Sequence, residues 1–175
     1  MSEFPFGRPA GRLKDQPGGI IDPGRAALVR CDTMAHLDHA GGHYLLPRPR
    51  ESLSAMIAEA TVAGHRLRIA SSYRSMEEQA RKFAAAVLRY GSEAEARKWV
   101  AKPGGSAHHT GACVDLTFGG LVLPTGVSEL SSAAQKSGAH LKCAAWIWLH
   151  ANLGRFGWNE YAGEFWHVEQ CSTPV

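Results

Sequence analysis

Ser106-Ala107-His108-His109-Thr110-Gly111-Ala112-Cys113-Val114-Asp115 is the stretch around which the chain is organised. It packs two histidines and a carboxylate into one short unit, split by a glycine. Nearer the C-terminus, Glu164-Phe165-Trp166-His167-Val168-Glu169 adds a further histidine, with a glutamate three residues before it. A histidine, an aspartate and a second histidine fill three positions of a tetrahedral zinc ion and leave the fourth open. A nearby carboxylate that does not bind the ion is free to move protons. These are the parts of a catalytic zinc site.

Spacing sharpens the reading of the first segment. His108 and Asp115 are seven residues apart, so on a straight strand they face opposite sides, whereas His109 and Asp115 share one. If His108 is the ligand, the chain must bend between the two, and Gly111 is the residue that permits it. The residues alone leave both histidines open. Cys113 is expected to face the core as a small hydrophobe, not to act as nucleophile or ligand. None of Cys31, Cys113, Cys143 and Cys171 forms a Cys-x-x-Cys pair, so a cysteine zinc site is not expected, and buried free thiols are the plainer reading. His36, His39 and His43 crowd around Gly41-Gly42 with no helix to aim them together, and the chemistry is not placed there.

At 175 residues the chain is long enough for one domain with a substantial core. A net charge of +3 suits an anionic polymer or surface. With no basic stripe interleaved with aromatics, it excludes a nucleic-acid partner. No apolar run approaches the roughly 18 residues of a membrane span. The first thirty residues mix Pro5, Pro9, Pro17, Gly18, Gly19 and Pro23 with scattered charges and do not read as a signal peptide, so the chain is expected in the cytoplasm before any release or export. Nothing specifies an oligomer.

In chain order, residues 1–27 read as an irregular arm and Ala26 to Arg30 as a short strand. Leu53, Met56, Ile57 and Ala60 make one apolar face of a helix over Ser52 to Ala63, stopped by Gly64. Arg66 to Ala70 alternates as a strand. Ser75 and Glu78 form a capping box, so a helix begins just after Arg74, with Glu77–Arg81 and Glu78–Lys82 paired along it. Arg74 is thus held at a strand-to-helix turn, and Gln79 lies about one turn inside the helix on the same side. Residues 92–101 suggest a short helix with a Glu93–Arg97 pair, broken by Lys102-Pro103-Gly104-Gly105. Val114 to Phe118 reads as a strand ended by Gly119-Gly120, and 121–139 as a surface excursion. Leu141, Ala144, Ala145, Trp148 and Leu149 predict a helical face closed by Gly154, and Phe165 to Glu169 a final strand. Trp146, Trp148 and Trp158 are expected in the core; His65, His140 and His150 are expected to be structural or solvent-facing. Helices and short strands without regular alternation predict an α+β fold, a small central antiparallel sheet flanked by helices.

Ser106-x-His108-x-x-Gly111-x-x-x-Asp115 followed by Glu164-x-x-His167 resembles the D-alanyl-D-alanine metallopeptidases: VanY-type carboxypeptidases, VanX-type dipeptidases and some phage endolysins, which share a fold with the hedgehog signalling domain. Ser72-Tyr73-Arg74-Ser75-Met76-Glu77-Glu78-Gln79, Pro103-Gly104-Gly105-Ser106 and Arg155-Phe156-Gly157-Trp158 match further segments in order. The resemblance covers roughly residues 44–170. It implies a zinc peptidase domain over 44–175 with an irregular arm, 1–43, packed on it. It implies His108, Asp115 and His167 as Zn2+ ligands, Glu164 as catalytic base and Arg74 as stabiliser of the transition state, with Ser106 and Gln79 holding substrate. His109 then stands behind the ligands or on the substrate side. The implied substrate is a peptidoglycan peptide containing D-amino acids, cleaved at the cell wall, most simply by removal of a terminal D-alanine. An endolysin-like stem-peptide endopeptidase and a non-catalytic zinc-containing binding module are the alternatives; Glu164 and Arg74 argue for chemistry. The chain departs from the family at Cys113, usually alanine, and at Phe165, often proline.

Overall fold

A computed structural model of the chain describes residues 8–9, 12–15, 20–31, 42–170 and 172–173. The strands are β1 (Arg8–Pro9), β2 (Val29–Arg30), β3 (Tyr44–Leu45), β4 (Leu67–Ser71), β5 (Cys113–Phe118), β6 (Trp158–Tyr161), β7 (Glu164–Gln170) and β8 (Ser172–Thr173). The α-helices are α1 (Pro47–Val62), α2 (Met76–Tyr90), α3 (Glu93–Ala96), α4 (Ser132–Ser137) and α5 (Ala144–Asn152). Four strands form an antiparallel sheet in the order β4-β5-β7-β6, so β5 and β7 are interior and adjacent. Two small ladders join β1 to β8 and β2 to β3. This is the expected α+β architecture. No helix of the described residues is long and apolar enough to cross a membrane.

Helix α1 lays Leu53, Met56 and Ala60 on the sheet, where they join Ile69, Leu116, Leu149, Trp158 and Val168 in the main core. It starts earlier than its apolar face suggests because Pro47 and Pro49 sit in its first turn, where no amide needs an intrahelical partner. Ser52, buried on its inner face, donates to the Phe156 carbonyl (2.5 Å) and accepts from the Trp158 indole (2.9 Å), satisfying polar atoms that burial would otherwise penalise. Helix α2 carries the expected capping box: Ser75 Oγ accepts from the Glu78 amide, and the Glu78 carboxylate accepts from the Ser75 amide (2.9 Å). Glu77 and Arg81 pair at 2.6 Å.

Some expectations change. Glu78 is spent on the cap, and no Glu78–Lys82 ion pair forms among the described residues. The helix expected over 92–101 shrinks to the single turn of α3, and Glu93 pairs with Lys102 at 2.5 Å in place of Arg97. The 121–139 excursion contains α4, with Ala134 fully buried and Leu121, Leu123, Val127 and Leu130 packed against the core. Its apolar residues serve irregular backbone, which has no periodicity to read. On α5, Ala145 and Leu149 are buried, while Leu141 lies exposed in the 3-10 turn before the helix, so the buried face is narrower than its pattern. A further 3-10 turn carries the chain past Gly154 to Gly157. Trp158 is core, and Trp146 and Trp148 pack partly buried against it. Cys31, Cys113 and Cys143 are buried; Cys171, His36 and His39 lie outside the described residues.

Candidate metal centre

The bend that the odd spacing demanded is present. Ala107–Thr110 forms a 3-10 turn, and Gly111 ends it at φ +66°, in the left-handed region. A Cβ there would also stand 2.6 Å from Leu28 Cδ2 and 3.3 Å from the Leu46 amide nitrogen. The turn swings His108 over the start of β5, so its ring and the Asp115 carboxylate meet although strand alternation would part them. On the adjacent strand, His167 stands directly opposite Asp115 in the β5–β7 ladder. A second irregularity brings in Glu164. Glu160 pairs with Val168, but the next residue, Tyr161, pairs with Glu164, so Phe165, Trp166 and His167 have no counterpart on β6. This bulge lets Glu164 and His167, three residues apart, serve one side of the sheet.

His108 Nδ1 donates to the Ser72 carbonyl (2.6 Å), and its Nε2 lies 3.3 Å from Asp115 Oδ2. His167 Nδ1 lies 2.8 Å from Asp115 Oδ1, and its Nε2 lies 3.3 Å from Glu169 Oε1. Each imidazole therefore has one nitrogen fixed by an outer partner and the other turned toward Asp115, the arrangement that orients a metal-binding histidine. Asp115, Glu164 and His167 each offer a donor atom within 4.8 Å of the others; so do His108, Cys113 and His167.

The electrostatics suit a cation. Burial opposes a charge on His108, but Cys113 and Asp115 outweigh it and push its pKa up to about 9. His167 is raised well above its ordinary value in the same way, burial being outweighed by Cys113, Asp115 and Glu169. Burial would raise the Asp115 carboxyl, yet the two histidines hold it far below the usual carboxylate range. Two imidazoles are thus driven to carry protons among acids in a nearly dry site. The donor set fits a divalent ion, which would supply that positive charge in the protons' place.

Around this centre the strand-to-helix turn is tied down. The Arg74 amide donates to the His108 carbonyl (3.0 Å). The Arg74 guanidinium donates to Gln79 Oε1 (2.8 Å) and to Ser71 Oγ (3.0 Å). Gln79 is fully buried and its Nε2 donates to the Ala101 carbonyl (2.6 Å). Both ends of the Gln79 amide, which the resemblance put among the substrate contacts, are engaged within the protein, one of them by Arg74. Ser106 is buried at the head of the 3-10 turn and makes no cap bond. His109 points away from the donors: its Nε2 accepts from the Gly104 amide and its Nδ1 donates to the Arg74 carbonyl (2.7 Å). His43 lies behind the site, its Nδ1 3.1 Å from Ser72 Oγ.

Glu169 escaped the sequence reading, and Cys113 was read there only as a core thiol. Glu169 is buried, faces Cys113 across the ladder, and accepts from the Leu13 amide (2.7 Å) and the Arg12 guanidinium (3.4 Å) as well as meeting His167. Cys113 is buried as expected, but its sulfur lies among the imidazoles, outside the main apolar cluster. Alternation carried the signal for both: each lies two residues from a candidate ligand on the same strand.

A family model described as VanY, D-alanyl-D-alanine carboxypeptidase, matches residues 42–169. The chain belongs to the VanY family. It is therefore a peptidase of the group that works on the bacterial cell wall. Among solved structures, the VanY-family chain is similar to the LdcB LD-carboxypeptidase at a TM-score of 0.63 and 24% identity, over 88% of this chain and 71% of that one. It is similar to VanYB in complex with D-alanine-D-alanine at 0.54 and 24%, over 86% and 85%. A VanY D,D-pentapeptidase variant in complex with Zn(II) aligns at 0.54 and 22%, over 86% of each chain. At these identities the structures establish a shared fold. No curated protein sequence matches the chain.

Proposed function

We propose that this VanY-family peptidase is a zinc-dependent D-alanyl-D-alanine carboxypeptidase that removes the terminal D-alanine from peptidoglycan stem peptides. The observation that carries the reading is the convergence of His108, Asp115 and His167 with the Glu164 carboxylate close by. His108, Asp115 and His167 would hold the ion. When bound, zinc supplies a Lewis acid beside the scissile carbonyl and makes a water acidic near neutral pH. Glu164 takes the proton of the attacking water and passes it to the leaving amine. Arg74, held by Gln79 and Ser71, offers a charge that is not lost at working pH to the oxygen that becomes negative. Glu169 and the Ser72 carbonyl keep the two imidazoles in the required orientation. The choice of D-alanine is supported by the family description and by the D-alanine-D-alanine complex of VanYB.

The test is digestion of a muramyl pentapeptide and of purified peptidoglycan, with and without chelator, read by mass spectrometry. Loss of one terminal alanine that stops with chelator and returns with zinc is expected. Release of larger stem fragments would move the chain to the endopeptidases. No cleavage by zinc-loaded protein would leave a binding module.

A further inference from the structure

Among the described residues, the two cysteines other than Cys113 sit in the apolar core. Cys31 and Cys143 belong to the main apolar cluster, with their sulfurs 3.9 Å from the Val29 and Gly119 carbonyls. Cys113 is as deeply buried as Cys31 but lies outside that cluster. It is the first residue of β5, two before Asp115, so both side chains leave the strand on the same face. Its sulfur and one ring nitrogen each of His108 and His167 lie within 4.8 Å of one another. Across the ladder stands Glu169, whose Oε1 lies 3.3 Å from His167 Nε2. The thiol is therefore packed against the same two imidazoles that Asp115 meets, on the inner side of the site.

From this juxtaposition we propose that Cys113 is an additional protein donor to the metal ion, so that this chain holds its ion with two histidines, an aspartate and a sulfur. The inference rests on the metal reading above. Thiolate sulfur is a strong donor to zinc, at about 2.3 Å, and draws the site toward softer ions. On coordination the S–H bond is given up, its proton passes to solvent, and a sulfur–metal bond takes its place; no oxidant or reductant is needed. Four protein donors describe a closed, tightly held ion. Catalysis then needs a fifth coordination position or the withdrawal of one donor, so the sulfur trades turnover for retention of the ion.

The test uses the full chain, stripped of metal and loaded with one equivalent of Co(II). The wild type is expected to show a thiolate-to-cobalt charge-transfer band in the near ultraviolet. In Cys113→Ala and Cys113→Ser that band is lost while the visible d–d bands remain, and retention against a competing chelator falls at least tenfold. Cys31→Ser and Cys143→Ser keep the band. A wild type with d–d bands but no charge-transfer band overturns the proposal, as does a band that survives Cys113→Ala. X-ray absorption of the unaltered zinc-loaded protein needs no variant: a sulfur scatterer at about 2.3 Å is expected, and its absence counts against Cys113. Failure of the underlying metal reading looks different, since His167→Ala and Asp115→Ala would then bind cobalt as tightly as wild type.

Discussion

Asp115 and Glu164 are both carboxylates within reach of His167, and their surroundings differ. Asp115 is bonded to both imidazoles and held strongly ionised. Glu164 sits at the start of β7, half-buried, beside a bulge. Asp115→Ala is therefore expected to lose metal, measured by mass spectrometry of the native protein. Glu164→Gln is expected to keep metal and lose roughly 10²–10⁴-fold in kcat, the usual range for a general base. Arg74→Ala should keep metal and lose roughly 10²–10³-fold in kcat, as removal of an oxyanion donor does. Glu169→Ala should weaken metal binding roughly 10- to 100-fold in chelator competition, the usual cost of losing the outer partner of a ligating histidine. Of these residues, Asp115, Glu164 and His167 stand out in the sequence by type and spacing, whereas His108 is separated from His109 only by the family resemblance. Glu169 does not stand out, since its part depends on which way the His167 ring turns. Gln79 was legible as a neighbour of the site, but its partners, Arg74 and Ala101, belong to tertiary structure.

At the scale of elements, the site depends on two breaks in regular structure. One is the left-handed Gly111 turn. Gly111→Ala meets a strained backbone and the Leu28 side chain, so a loss of about 1–3 kcal/mol is expected in urea unfolding. A fall in metal affinity should accompany it, because His108 rides on that turn. The other break is the β7 bulge, where the register against β6 shifts. The Gly111 bend could be inferred from the odd spacing of His108 and Asp115. The bulge could not, because register is a property of two strands and one strand's sequence carries only half of it. The capping box of α2 was legible because it is local: both of its hydrogen bonds lie within four residues. The α3 region was overread because a charge pair at helical spacing was taken for a helix, and Glu93 had a better partner in Lys102.

For the molecule as a whole, acid stability should be set in part by His140. Its ring is buried, stacks on Phe165 at 4.4 Å and meets Trp146 edge-on at 4.8 Å, and its Nδ1 has no hydrogen-bond partner among the described residues. Burial lowers its pKa, with Glu160 opposing. The unfolded chain then takes up a proton more readily than the folded one. The stability that neutral His140 contributes is complete above the unfolded value, about 6.5, and is lost as pH falls from there through the folded pKa. Urea midpoints should drop across that window in the native chain, and His140→Phe should flatten the drop.

The sheet also sets a schedule. His167 follows Asp115 by 52 residues, yet the two face each other across adjacent strands. A chain lengthening by about 5–20 residues per second offers His108 and Asp115 for roughly 3–10 seconds before the last histidine exists. During that interval the proposed donor set lacks His167 and the proposed base, Glu164, has not been made. A peptidase assembled in this order is expected to stay inert on the ribosome until β7 is made.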